Sequence, residues 1–267
     1  MAKVSFVAPG LAECLHIHVR AMLGRAGHEV VAPADADLVI ANWFGGTLSA
    51  IDVRWWVGSD VLSLQRGKTE PQSTDERCNW ASAHHLVHEL ALCGVAAREM
   101  PIVPNWEPEV LPRAERPVVL LYCPDGREDI YRWRDLLAVA ERCPHLSFKV
   151  FRRSTPVPLP NVECVPGMIP HEAMRAEYQA ARAVLRLMEH DGMSLSVLEA
   201  LGFGRHAVWS YPYPACTQAT TVDEAVVAID RAVKADVNTA GVAAMETLRR
   251  AVHARLATYV EDAVGCK

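Results

Sequence analysis

Short β-type runs and amphipathic helical runs alternate along nearly the whole chain, and this alternation restricts the fold more than any other feature. Lys3–Ala8 reads as a strand and Ala12–Ala26 as a helix, with Leu15, Val19, Leu23 and Ala26 at helical spacing. Gly27-His28 leads into a strand at Glu29–Ala32, and Leu38–Asn42 and Val53–Val57 read as further strands. His84–Leu92 is expected to be helical, closed by Gly94, with a short strand at Pro101–Pro104. Trp106–Pro117 then interrupts the rhythm with Pro108, Pro112 and Pro117 among charged residues, the mark of a linker. Alternation resumes with strands at Val118–Tyr122, Leu146–Phe151, Val162–Val165, Ala183–Met188 and Ala207–Tyr211. Helices are expected at Asp129–Arg142, His171–Ala181, Leu195–Leu201, Val222–Val233 and Val242–Val264.

Such alternation implies an α/β fold of mostly parallel sheets with helices on both faces. Two blocks separated by a proline-rich linker imply two α/β domains with a cleft between them. The expected division is residues 1–110, residues 111–240 and a C-terminal helix within 241–267. The 267 residues, 51% of them hydrophobic, suffice for one large core or two modest ones. In open sheets of this kind, ligands collect beyond the carboxyl ends of the strands, so the chemistry belongs in strand-to-helix loops.

Bulk properties exclude several functions. A net charge of −5 gives no support to a nucleic-acid partner. No apolar run approaches the roughly 18–20 residues that span a bilayer, and Val4–Leu11 lacks the basic leader of a signal peptide. The eight cysteines include no C-x-x-C pair, so reduced and mostly buried thiols are expected. The expectation is a cytoplasmic protein, for which peripheral contact with the inner face of a membrane stays open.

The most informative segment runs from Arg186 to Gly204. A strand gives way to a polar loop, Asp191-Gly192-Met193-Ser194-Leu195, and a helix begins near Ser194. Exposed amides at a helix start, aided by the helix dipole, form an anion site, and Gly192 has no side chain to hold a diphosphate away. Glu199 lies roughly 7–8 Å further along the helix, about the reach from a diphosphate to a ribose. A carboxylate there can accept hydrogen bonds from two adjacent hydroxyls. Taken alone, Ser196-x-x-Glu199 also fits a capping box, which is the commoner motif.

The surrounding residues favour the first reading. Asp191-x7-Glu199, with Gly192, Leu198-Glu199-Ala200 and Gly204, resembles the Glu-x7-Glu signature of the family-4 retaining glycosyltransferases, enzymes whose GT-B architecture has two Rossmann-like domains facing across a cleft. Gly27-His28-Glu29-Val30, Trp56-Val57-Gly58-Ser59-Asp60-Val61, Val103-Pro104-Asn105 and Gly167–Met174 resemble other family stretches in the expected order. Gly126-Arg127, followed by Arg132, resembles a Gly-Arg-x4-Lys-Gly stretch whose two cations bind the donor diphosphate. Arginine for the usual lysine keeps the charge, and aspartate at 191 for the usual glutamate is one methylene shorter.

The resemblance implies metal-independent, retaining transfer from a nucleoside-diphosphate sugar to a carbohydrate, lipid-linked or small-molecule hydroxyl acceptor. It implies no separate cofactor. Arg127, Arg132 and Asp191 would be catalytic, with Gly192, Met193, Ser194, Leu195 and Glu199 binding the donor. A crossing C-terminal helix is implied as well.

Other features are set aside. His84-His85-x-x-His88 has no accompanying zinc motif. His18 and Trp56 are read as packing residues at least as readily as substrate contacts. The loop Pro9-Gly10-Leu11 carries one glycine where the family often shows two. Two rival readings share the fold: a sugar-nucleotide epimerase or hydrolase, and a non-catalytic binding module.

Overall fold

The computed structural model describes residues 1–8, 13–42, 51–71 and 73–265. The loop Pro9–Leu11 lies outside the described residues. Two compact units emerge. One comprises Met1–Asn105, His190–Leu195 and Leu248–Lys267, the other Trp106–Glu189 and Ser196–Thr247.

The first unit contains β1 (Lys3–Val7), α1 (Glu13–Arg25), β2 (Glu29–Val30), β3 (Leu38–Asn42), β4 (Val53–Trp56), α2 (Ser59–Gln65), β5 (Asn79–Ala81), α3 (His84–Leu92) and β6 (Arg98–Glu99). Its strands pair in parallel in the order β2-β1-β3-β4-β5-β6. All five residues of β3 are buried, as expected of a parallel strand covered on both faces. Val4, Val19, Leu23, Ile40, Trp55 and Trp80 belong to its main core. The expected strand at Pro101–Pro104 is absent. Pairing stops at Glu99, because Pro101 and Pro104 have no N–H to offer a ladder.

The second unit contains β7 (Val118–Tyr122), α4 (Trp133–Arg142), β8 (Ser147–Phe151), β9 (Val162–Val165), α5 (His171–Ala180), β10 (Ala183–Arg186), α6 (Leu195–Gly202), β11 (His206–Trp209), β12 (Thr217–Gln218) and α7 (Val222–Lys234). The parallel order is β12-β11-β10-β7-β8-β9. Strand alternation sorts its side chains between two cores. Val119, Leu121 and Leu185 pack with Leu136, Val139 and Ile229 on one face. Leu120 and Val184 pack with Tyr178, Ala200 and Phe203 on the other. Thr221 and Glu224 form a reciprocal capping box that fixes the start of α7.

α8 (Thr239–Val264) is one continuous helix with residues in both units. Val252, Leu256, Val260 and Ala263, at helical spacing, enter the core of the first unit. Asp191–Leu195 also groups with the first unit, whereas a division at residue 110 assigns that stretch to the second. Close backbone packing at Gly192, described below, is the physical reason.

Residues 106–117 form neither helix nor strand, yet they are strapped to the second unit. The Glu109 amide donates to the Gly202 carbonyl at 2.8 Å. Arg182 donates to the Ala114 and Glu115 carbonyls, each at 2.8 Å. Arg205, only 2% exposed, donates from Nε to the Tyr178 carbonyl and from Nη2 to the Pro112 carbonyl, at 2.8 and 2.7 Å. Burial pulls the Arg205 pKa down, but these carbonyls compensate the charge. Arg205→Met keeps the apolar stem and orphans the carbonyls. It is expected to cost about 3 kcal/mol in a denaturant titration.

Candidate active site

In the second unit, Glu199 lies in the second turn of α6, the helix that follows β10. Its carboxylate is buried and accepts a hydrogen bond from the Tyr178 hydroxyl at 2.7 Å. Burial pushes the Glu199 pKa up to about 7, and the Tyr178 bond only partly opposes it. The same pair drives Tyr178 well above its ordinary value: burial first, then the adjacent carboxylate, with Arg186 acting in the opposite sense. Because α6 starts at Leu195, Ser196 is inside the helix and cannot be the N-cap of a Ser196–Glu199 capping box. The commoner explanation of Glu199 therefore lapses.

Arg127 is exposed on the loop between β7 and α4. Arg132 occupies the N-cap of α4 with a left-handed backbone, φ 45°. Its guanidinium is engaged three ways. Nε and Nη2 meet the Asp135 carboxylate at 2.8 and 2.7 Å, and Nη1 donates to the Thr220 carbonyl at 2.8 Å. Arg132 thus ties the start of α4 to the segment before α7.

In the first unit, the stretch from His190 to Leu195 is pinned at successive residues. His190 Nε2 lies 2.8 Å from Glu89 Oε2, and His85 Nε2 lies 2.8 Å from the Asp191 carbonyl oxygen. The Gly192 amide donates to Asp191 Oδ1 at 3.1 Å, and the Met193 amide to Ser82 Oγ at 3.4 Å. Two of the amides expected to be bare therefore already have acceptors, which an incoming anion would have to replace. A Cβ on Gly192 would overlap the Val57 carbonyl oxygen and lie 2.8 Å from Ser82 Oγ. Close backbone approach thus demands glycine there, independently of any ligand. Ser194 is buried, and Leu195 packs at the edge of the core.

No known protein-family profile matches the chain, and no curated protein matches it by sequence. Solved structures do. AviGT4, a glycosyltransferase involved in avilamycin A biosynthesis, shares 14% identity at a TM-score of 0.64, over 98% of this chain and 97% of that one. The lipopolysaccharide outer core galactosyltransferase WaaB shares 11% at 0.58, over 99% of each. A point mutant of S. aureus TarM, solved with fondaparinux, α-GlcNAc-glycerol and UDP, shares 9% at 0.55. That match covers 85% of this chain and 55% of TarM, so the chain spans little more than half the length of that neighbour.

The fold is GT-B.

Within this GT-B chain, several residues set aside in the sequence have structural posts. His18 is buried, and its Nδ1 accepts from the Asn105 amide at 3.0 Å. Trp56 is wholly buried, donating from Nε1 to Asn79 Oδ1 at 3.0 Å beneath the Arg54 guanidinium. The carboxylate of Asp60, in the stretch that resembles the family's Gly-Ser-Asp, accepts from the Val57, Gly58 and Val61 amides. The histidine triplet divides its contacts: His84 lies 3.4 Å from Glu99, while His85 holds Asp191.

Sequence reasoning gave no site role to His85, Glu89, Ser82, Tyr178 or Arg186. His85 and Ser82 sit on and before α3, about a hundred residues from the loop they hold, so no local pattern links them.

No described helix is long and apolar enough to cross a membrane.

Proposed function

We propose that this chain is a glycosyltransferase that moves a sugar from a nucleoside-diphosphate sugar to a hydroxyl acceptor. The observation carrying the reading is Glu199: a buried carboxylate that accepts from the Tyr178 hydroxyl, in the first helix after the central strand of a GT-B unit. Burial makes a carboxylate costly. A ribose diol offers two donors that suit a carboxylate.

In this reading Glu199 holds the ribose, and Arg127 neutralises the departing diphosphate. Arg132 orders the loop that carries Arg127, and its own charge adds to the field. The amides from Gly192 to Leu195 take phosphate oxygens once their present acceptors are displaced. Asp191 orients sugar hydroxyls or supports positive charge at the anomeric carbon. Fixed guanidinium charge aimed at the leaving oxygens performs the stabilisation that a metal ion provides elsewhere.

The sequence resemblance favours retention. The bond from anomeric carbon to phosphate oxygen breaks, and a bond to the acceptor oxygen forms on the same face. The acceptor's proton passes to the leaving phosphate. The TarM complex contains UDP and α-GlcNAc-glycerol, which makes uridine donors and carbohydrate acceptors the first to test. No metal and no cofactor beyond the donor enters this scheme.

The test is a mass-spectrometric screen of UDP-, GDP- and ADP-linked sugars against carbohydrate, lipid-linked and small hydroxyl acceptors. NMR of any product then reads the anomeric configuration. Transfer with an unchanged anomer is expected. Donor consumed without an acceptor would replace the reading with hydrolysis or epimerisation, and tight nucleotide binding without turnover would make the chain a binding module.

A further inference from the structure

Three residues on and just before α3 hold the His190–Leu195 segment in reverse order. Ser82 takes the Met193 amide at 3.4 Å, His85 the Asp191 carbonyl at 2.8 Å, and Glu89 the His190 ring at 2.8 Å. His85 and Glu89 are one turn apart and share a helical face. A carbonyl and a carboxylate only accept, so both imidazoles donate from Nε2. Gln65, the last residue of α2, donates to the same Glu89 Oε2 at 3.2 Å and steadies it. The His85 and His190 rings meet edge to face with centroids 6.5 Å apart.

Two observations separate this clamp from ordinary packing. The segment groups with the first unit although its chain neighbours Glu189 and Ser196 belong to the second. Its course therefore depends on side chains about a hundred residues away. His190 supplies the other observation: its Nδ1 is buried with no partner among the described residues. An orphaned buried nitrogen is a cost that an apolar ring would avoid, so the imidazole serves through its Nε2 end, the grip on Glu89.

We propose that His85 and the His190–Glu89 pair are positioning residues that fix Asp191 for sugar transfer. The inference deepens the transferase reading and rests on it for the reaction. Asp191 has its own carboxylate turned to the Gly192 amide at 3.1 Å, so the hold on its main chain decides where that side chain points. A group that acts on the sugar in the transition state loses rate, more than donor binding, when it is displaced by about an ångström.

The experiment measures steady-state transfer by the full chain, with melting points and hydrogen exchange of the 190–195 segment in the free protein. Phenylalanine keeps a ring and removes the donor, whereas the glutamine amide reaches about as far as Nε2 and restores it. His85→Phe and His190→Phe are expected to lower kcat about tenfold or more, with the donor KM within about twofold of wild type. His85→Gln and His190→Gln should recover to within about threefold. In an Asp191→Asn background, His85→Phe should cost less than about threefold, because the group it positions has gone. Segment exchange should quicken about tenfold in the phenylalanine variants alone. His84→Ala, which removes the exposed neighbour beside Glu99, should change none of these.

Unchanged kcat in both phenylalanine variants overturns the proposal. So do a loss that glutamine fails to restore, full additivity with Asp191→Asn, and wild-type exchange rates throughout. Exchange that quickens as expected in a chain with no transferase activity would leave the clamp in place and discard the transferase reading instead.

Discussion

Glu199→Gln is expected to stabilise the free protein above neutrality. Burial raises the Glu199 pKa from 4.5 to about 7. The folded state therefore holds the proton that the unfolded chain releases. The stabilising contribution of this group is fully present below pH 4.5 and is lost as pH rises through 7. A shift of that size corresponds to about 3 kcal/mol. Glutamine mimics the neutral acid at every pH and still accepts from the Tyr178 hydroxyl. Relative to wild type, the variant should therefore gain up to about 3 kcal/mol between pH 5 and pH 8. Thermal melts at both pH values read the difference directly. A melting-point gap that does not change with pH would mean that the free protein keeps this carboxyl in an ordinary environment.

Gly192→Ala should have an effect of similar size and opposite sign. Its methyl would overlap the Val57 carbonyl oxygen and lie 2.8 Å from Ser82 Oγ. Retreat is blocked, because Val57 and Gly58 donate their amides to the buried Asp60 carboxylate. Gly58 is itself at φ 126°, where a Cβ would come within 2.8 Å of the Gly192 amide nitrogen. Overpacking against backbone of this kind costs about 3 kcal/mol, or roughly 6–12 °C in melting temperature. Adding Ser82→Gly removes one obstacle but not the carbonyl, so the double variant should remain destabilised. Full stability in Gly192→Ala would show that His190–Leu195 does not pack as described.

Much of the architecture is legible in the sequence, because long apolar runs and proline punctuation carry it. β3, β7, β9 and α3 have the bounds that periodicity predicts, and the two blocks of βα alternation become two parallel sheets. What periodicity misses is short: α2 with seven residues, β5 with three, and the two-residue strands β6 and β12. Their stability comes from pairing with neighbours, which a single sequence window does not contain.

The site divides along the same line. Glu199 stands out because a carboxylate between Leu198 and Ala200 breaks a buried apolar stretch. Gly192 also stands out, although the structure supplies a packing reason for it that has nothing to do with phosphate. The supports of that loop are invisible locally, since His85, Glu89 and Ser82 reach it only through the fold.

The central claim is that Glu199 is the ribose-binding carboxylate of a nucleotide site. Calorimetric titration of nucleoside diphosphates into wild type and Glu199→Gln at pH 6 and pH 8 tests it most directly. The ratio of the two proteins' affinities cancels the titration of the ligand's own phosphate. The account predicts that this ratio rises in favour of wild type by about tenfold from pH 6 to pH 8, as the carboxyl loses its proton. A ratio that is constant, or nucleotide binding that ignores the substitution at both pH values, contradicts it.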